Sequence, residues 1–80
     1  MRVAIVAIFI EEKSMASEVN EILHKYSKYI IGRMGLSKVE ENLSVITVVI
    51  KAKQDIISAM SGQLGNLKKV VSKTTYANKK

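Results

Sequence analysis

Only one stretch of the chain, Ile31-Gly32-Arg33-Met34-Gly35, has residue types and spacing that suggest a ligand. Arg33 carries an always-charged planar fork suited to gripping a carboxylate or phosphate. Glycine on either side lets backbone amides approach a bound molecule closely. Gly32, Arg33, Met34 and Gly35 are therefore the candidate ligand-binding residues. The competing reading is a bulged strand end with a surface arginine, because glycine inside a strand commonly marks a bulge. The spacing matches neither a phosphate loop nor a dinucleotide fingerprint.

Other chemistry-bearing residues are sparse. His24 is the only histidine, and it lies off the main apolar stripe of its helix, where a solvated side chain is the natural reading. The acidic pairs Glu11-Glu12 and Glu40-Glu41 occupy adjacent positions beside loops and read as solvated turn charges. No nucleophile, base and orienting group stand together, so an enzyme is not expected and no catalytic residue is assigned. One histidine and no cysteine cannot fill a tetrahedral nitrogen/sulfur site, and no carboxylate cluster suits a hard cation. Neither a metal nor another cofactor is expected.

The elements that would position these residues follow from periodicity. Leu43 to Ile50 is rich in β-branched residues and apolar on both faces, with Leu43, Val45, Thr47 and Val49 on one side and Ser44, Ile46, Val48 and Ile50 on the other. Val3 to Ile10 has the same character. It is not read as a signal peptide, because Glu11-Glu12-Lys13 follows without a small-residue cleavage site. It is also far too short for a membrane span, which needs about twenty apolar residues, and no membrane association is expected. Ser14 can cap a helix over Met15 to Lys28, whose apolar positions are Met15, Val19, Ile22, Leu23 and Tyr26. Tyr29 to Leu36 predicts a short strand, joined through a longish loop, Ser37 to Asn42, to the strand at Leu43. After Lys53, Ile56, Ile57, Met60 and Leu64 share the face of a second helix. Gly65 reads as the left-handed residue that stops this helix, and Gly62 inside it suggests close packing. Leu67 to Tyr76 predicts a last strand whose lysines suit a sheet edge, and 77–80 a frayed tail.

The order β-α-β-β-α-β predicts an α+β, ferredoxin-like sandwich: an antiparallel sheet of order 4-1-3-2 with two helices on one face, formed by a single domain over residues 1–80. The doubly apolar strands would be central. With both helices on one face, the other face lacks cover. Leaving four or five of its valines and isoleucines wet would forgo roughly 8–12 kcal/mol, at about 2 kcal/mol each. That is comparable to the whole stability of a domain this size. A homodimer or homotetramer built through sheet faces or edges is therefore expected.

Composition narrows the partners. The 80 residues carry a net charge of +6, which raises nucleic acid as a partner. The cations are scattered along the chain without a block of five, a pattern closer to a solvated surface than to a phosphate track. With one phenylalanine, three tyrosines and no tryptophan, an aromatic base-stacking platform is not expected. The absence of cysteine fits a reducing compartment and a cytoplasmic location.

Several stretches also resemble one known family. Arg2-Val3-Ala4-Ile5-Val6-Ala7-Ile8, Asn20-Glu21-Ile22-Leu23-His24 and Tyr29-Ile30-Ile31-Gly32-Arg33-Met34-Gly35 are similar to the small iron-only hydrogenase system regulators. Ser44 to Val49, Ser61-Gly62-Gln63-Leu64-Gly65 and Val71 to Tyr76 continue the likeness over nearly the whole chain. The resemblance implies an ACT-like domain similar to the C-terminal regulatory domain of the nickel-responsive repressor, and a role in transcriptional regulation linked to hydrogenase maturation. That repressor holds nickel through histidines and a cysteine for which this chain has no matching set, so nickel sensing does not carry over. Its ribbon-helix-helix DNA-binding segment has no counterpart among these residues, which weighs against direct DNA contact. The leading expectation is a homo-oligomeric regulatory module that takes a small-molecule effector at a subunit boundary. The alternatives are a DNA-associated regulator using basic oligomer surfaces, or a purely structural interaction domain.

Overall fold

Alternation along two strands sets the layers of this protein. The computed structural model describes residues 1–77. It contains β1 (Arg2–Ile10), α1 (Ala16–Lys25), β2 (Ile30–Glu40), β3 (Leu43–Ala52), α2 (Gln54–Gly65) and β4 (Val70–Tyr76), with single 3-10 turns at Lys13–Met15 and Ser27–Tyr29. The sheet order is β2-β3-β1-β4, and every neighbouring pair is antiparallel. This is the expected ferredoxin-like arrangement, with the two doubly apolar strands in the centre. β1 and β2 run one way, β3 and β4 the other. Arg2, Ile30, Ala52 and Tyr76 therefore mark one end of the sheet (the near end), and Ile10, Glu40, Leu43 and Val70 mark the far end.

Register assigns every central side chain to a face. β1 pairs with β3 without a break from Arg2↔Ala52 to Ile10↔Ser44. Opposed residues in an antiparallel pair share a face, so Ala4, Val6 and Ile8 stack with Ile50, Val48 and Ile46 on one side. All six are buried. The helices close over this side: α1 buries Val19 and Leu23, α2 buries Ile57, Met60 and Leu64, and Met15, Ile22, Tyr26 and Ile56 pack around them. The opposite side carries Val3, Ile5, Ala7 and Phe9 beside Lys51, Val49, Thr47 and Val45, and none of these is buried.

Several local expectations change. The first helix is shorter than Met15 to Lys28, because a tight 3-10 turn occupies each end. Ser14 lies inside the first of these turns, and no side-chain hydrogen bond caps either element. β2 runs on to Glu40, so the loop expected over Ser37 to Asn42 shrinks to the two-residue turn Glu41-Asn42 between the paired Glu40 and Leu43. A register shift between Leu36 and Glu40 absorbs the extra residues, and Lys38 there takes a left-handed φ of 56°.

The second helix departs in the same way. Gly65 is its last residue, and no glycine in the described chain has positive φ. The reversal falls instead at Lys69, with φ 62°, whose carbonyl accepts the Glu11 N–H at 2.8 Å and sets Val70 opposite Ile10. β4 accordingly begins at Val70 rather than Leu67. Gly62 is not a close-packing glycine either, since a Cβ built there would meet nothing within 4 Å. Of the tail expected to fray, Ala77 donates its N–H to Val3 C=O at 2.9 Å, and residues 78–80 lie outside the described residues.

The two sheet faces should respond differently to truncation. Ile8, fully buried against the helices, should lose about 2–5 kcal/mol on change to Ala. Ile5, 48% exposed on the other face, should lose well under half of that in a chain held monomeric. Urea unfolding of both variants at low protein concentration measures the contrast.

Candidate functional site

The Gly32 to Gly35 segment lies on edge strand β2, and pairing parity divides it between the two faces. Gly32 and Met34 oppose Val49 and Thr47 on the uncovered side, while Arg33 and Gly35 oppose Val48 and Ile46 on the helix side. The bulge expected of these glycines is present: the register shifts between Ile30↔Ile50 and Gly32↔Val49, leaving Ile31 as the extra residue. Gly35 has an ordinary neighbour, with its Cβ position 3.7 Å from Ile46 Cγ1, whereas Gly32 faces open space. Neither glycine is needed here for packing or for positive φ.

Arg33 is held by the helix layer. Its Nη2 donates to Asn20 Oδ1 at 2.7 Å, and Asn20 Nδ2 in turn donates to Ala16 C=O at 3.0 Å in the first turn of α1. The guanidinium is thus tied on one side to α1 and open to solvent on the other. Met34, 60% exposed, faces away from it on the far side of the sheet. The structure therefore does not gather Gly32, Arg33, Met34 and Gly35 around one hollow, and none of the four lines any of the principal surface hollows.

One hollow lies at the far end, between the β2–β3 hairpin tip and the start of the helix layer. Its volume is about 580 Å³, within the range of small-molecule sites. Ile10, Ala16 and Leu43 supply apolar wall, while Lys13, Lys38 and Ser44 supply ammonium and hydroxyl groups. Lys38, whose backbone is left-handed, forms part of this wall. Sequence reasoning missed the hollow because it read Ser37 to Asn42 as a loop. The available signal was Asn42, a residue favoured in two-residue hairpin turns, placed directly before the β3 run.

The uncovered sheet face is the other large feature. Ile5, Met34, Leu36 and Val71 on it are 40–60% exposed, with Val3, Phe9, Val45 and Val49 between them partly so. Its charged side chains include Lys51, in the row nearest the near end, Lys73 on edge strand β4, and Glu40 opposite Leu43 at the far end. Elsewhere, His24 is exposed, and among the described residues no three of His, Asp and Glu lie close enough to hold a metal ion. Among the described residues no helix is long and apolar enough to cross a membrane.

The α+β sheet with both helices on one face defines a ferredoxin-like, ACT-like domain. Comparison with known proteins agrees and narrows the class. The chain belongs to the TM1266-like family of iron-only hydrogenase system regulators, whose family model matches residues 2–74. A solved structure, that of the uncharacterized protein TM1266 from Thermotoga maritima, is 38% identical, with 96% of this chain and 98% of that one covered and a TM-score of 0.89. A formyltetrahydrofolate deformylase from Pseudomonas putida KT2440 is 9% identical and has a TM-score of 0.63, with 91% of this chain covered but 28% of the enzyme; it shares the fold. A search of curated proteins finds no match.

The left-handed lysine in the hollow's wall gives a local test. A non-glycine residue in that conformation costs roughly 1–2 kcal/mol, part of which glycine returns as unfolded-state entropy. Lys38→Gly should therefore raise stability by up to about 1 kcal/mol, and Lys38→Val should lower it. Urea midpoints of the two variants decide.

Proposed function

We propose that this chain is a self-associating regulatory module of the iron-only hydrogenase system. It pairs through its uncovered sheet face and binds a small effector beside the resulting boundary. The observation carrying this reading is the uncovered face itself: a strip of Ile5, Phe9, Met34, Leu36, Val45 and Val49 lying opposite the helix layer.

A second copy is the partner that fits. Four strands at about 4.8 Å spacing and some 25 Å of strand length offer roughly 500 Å² per face, so two faces reach about 1,000 Å². At about 25 cal/mol per Å², a mostly apolar contact of that size yields on the order of 20 kcal/mol, above the roughly 4–15 kcal/mol cost of association. Lys51 and Lys73, at an end row and on an edge strand, can sit at the rim of a two-fold contact instead of being buried in it. The effector reading draws on two features. Arg33 is partly tied and partly open on edge strand β2, and the 580 Å³ hollow offers Lys13 and Lys38 to an anionic group.

Sedimentation tests the association. The wild type should be dimeric or larger at micromolar concentration, and Ile5→Glu with Leu36→Glu should convert it to a folded monomer. A monomeric wild type overturns the reading. Thermal-shift screening against amino acids and nucleotides tests the effector. A shift lost in Arg33→Ala locates binding on the β2 edge, one lost in Lys38→Ala locates it in the hollow, and a shift that survives both changes excludes both places.

A further inference from the structure

The cations occupy both ends of the sheet, but the acids that offset them gather at one. Arg2 begins β1, Lys28 lies in the turn that enters β2, and Lys51 and Lys53 surround the end of β3, so all four occupy the near end of the sheet. Asp55 also lies at this end, in the first turn of α2, where its Oδ1 accepts the Ile56 N–H at 3.0 Å. At the far end Glu11, Glu12, Glu40 and Glu41 balance Lys13, Lys38, Lys68 and Lys69. The positive charge of the domain is therefore polarised along the strands.

Aromatic rings sit among the near-end cations. The Arg2 guanidinium lies 4.1 Å from the centre of the Tyr76 ring, and Lys28 Nζ lies 5.3 Å from that of Tyr29. Arg2 Nη1 also donates to Gln54 Oε1. These contacts limit how far the charged groups wander and leave them at the surface, since Lys28, Lys51 and Lys53 are exposed. The adjacent hollow, about 210 Å³, is lined by Val3, Ile5, Val49 and Tyr76, and is too apolar to be a pocket for a single small anion.

We propose that the near end is a contact surface for the phosphate backbone of nucleic acid. An array of surface cations without a polar pocket suits a repeating polyanion better than one discrete phosphate. Duplex DNA presents a charge about every 1.7 Å of its axis, so each lysine or arginine can find its own phosphate without exact placement. Pairing with the opposite end of a second copy is disfavoured, because that end is electrically balanced. The contact reads backbone and not sequence, since these cations sit at strand ends and in a turn, where they can meet phosphates. It is independent of the effector and of self-association through the sheet face, although association would multiply the cations presented.

The test is fluorescence anisotropy of short labelled duplexes with the whole chain, titrated from about 50 to about 200 mM salt. Four backbone contacts per domain predict a slope of log affinity on log salt near −3.6. Lys28→Glu with Lys53→Glu should halve that slope to about −1.8 and weaken low-salt binding roughly tenfold or more. Lys13→Glu with Lys68→Glu makes the same change in net charge at the far end and should leave binding close to wild type. Parallel titrations with RNA duplexes and single strands identify the nucleic acid preferred. Lys28→Gln with Lys53→Gln replaces the reversal if the latter unfolds, and sedimentation of each variant separates lost binding from lost association. No binding at low salt, equal loss in the near-end and far-end variants, or tighter binding to phosphatidylserine vesicles than to any nucleic acid overturns the proposal.

Discussion

The unbroken pairing of β1 with β3 is the constraint on which the rest of the structure depends. Nothing interrupts it from Arg2↔Ala52 to Ile10↔Ser44, so each side chain on either strand is committed to one face. A slip of β3 by one residue would exchange its two faces, turning Ile46, Val48 and Ile50 outward and setting Val45 and Val49 against the helices. Both sets are apolar, so hydrophobicity alone discriminates poorly between the two registers. The helix layer does discriminate. Ala4 and Ala52, small and fully buried, lie on the helix side at the near end, whereas the bulky Val3 and charged Lys51 face outward there. A slipped register would direct Lys51 toward the core, where an unpaired ammonium is strongly disfavoured.

The same parity explains why the most chemically suggestive segment does not form a single site. Arg33 and Met34 are neighbours in sequence but project from opposite sides of an edge strand, one toward Asn20 of α1 and the other onto the open face. A pattern that looks like a ligand loop when read as a string becomes, on a strand, two residues serving two surfaces. The bulge at Ile31 contributes to this outcome. It shifts the phase of β2 after Ile30, so that Ile30 and Arg33 both oppose helix-side residues of β3.

The fold was legible because its signals were redundant. Two strands apolar on both faces, two helical stripes and a lysine-bearing last strand each pointed to the same topology, and that topology demanded the central placement of Val3–Ile10 and Leu43–Ile50. Local boundaries were less legible because they depend on tertiary contacts. Gly65 carries the residue type of a helix stop, yet the chain reverses at Lys69, where the Glu11 N–H draws in the carbonyl. Lys38 adopts its left-handed conformation to absorb a register shift between two strands, which no window along the sequence reveals. The polarity of charge was hidden for the same reason. Arg2, Lys28, Lys51 and Lys53 are far apart in the chain and meet because strands β1 and β3 run in opposite directions.

The proposed self-association would tie the stability of this domain to the copy that covers its open face, with consequences for regulation. If association covers the face, folded protein is favoured by whatever favours the assembly. An effector shifts the assembly only by the difference in its affinity for the associated and free forms. The far-end hollow is well placed to generate such a difference. Ile10, Leu43 and Ser44 belong to the same two strands whose adjacent residues, Phe9 and Val45, line the open face. A molecule that drew the hairpin tip toward α1 would tilt these strands, and the nine consecutive β1–β3 pairs would carry that tilt to the residues one position along. The effector then needs no contact with the second copy. In the proposed assembly it would need only to prefer one curvature of the sheet, because the second copy packs on the face whose shape that curvature sets.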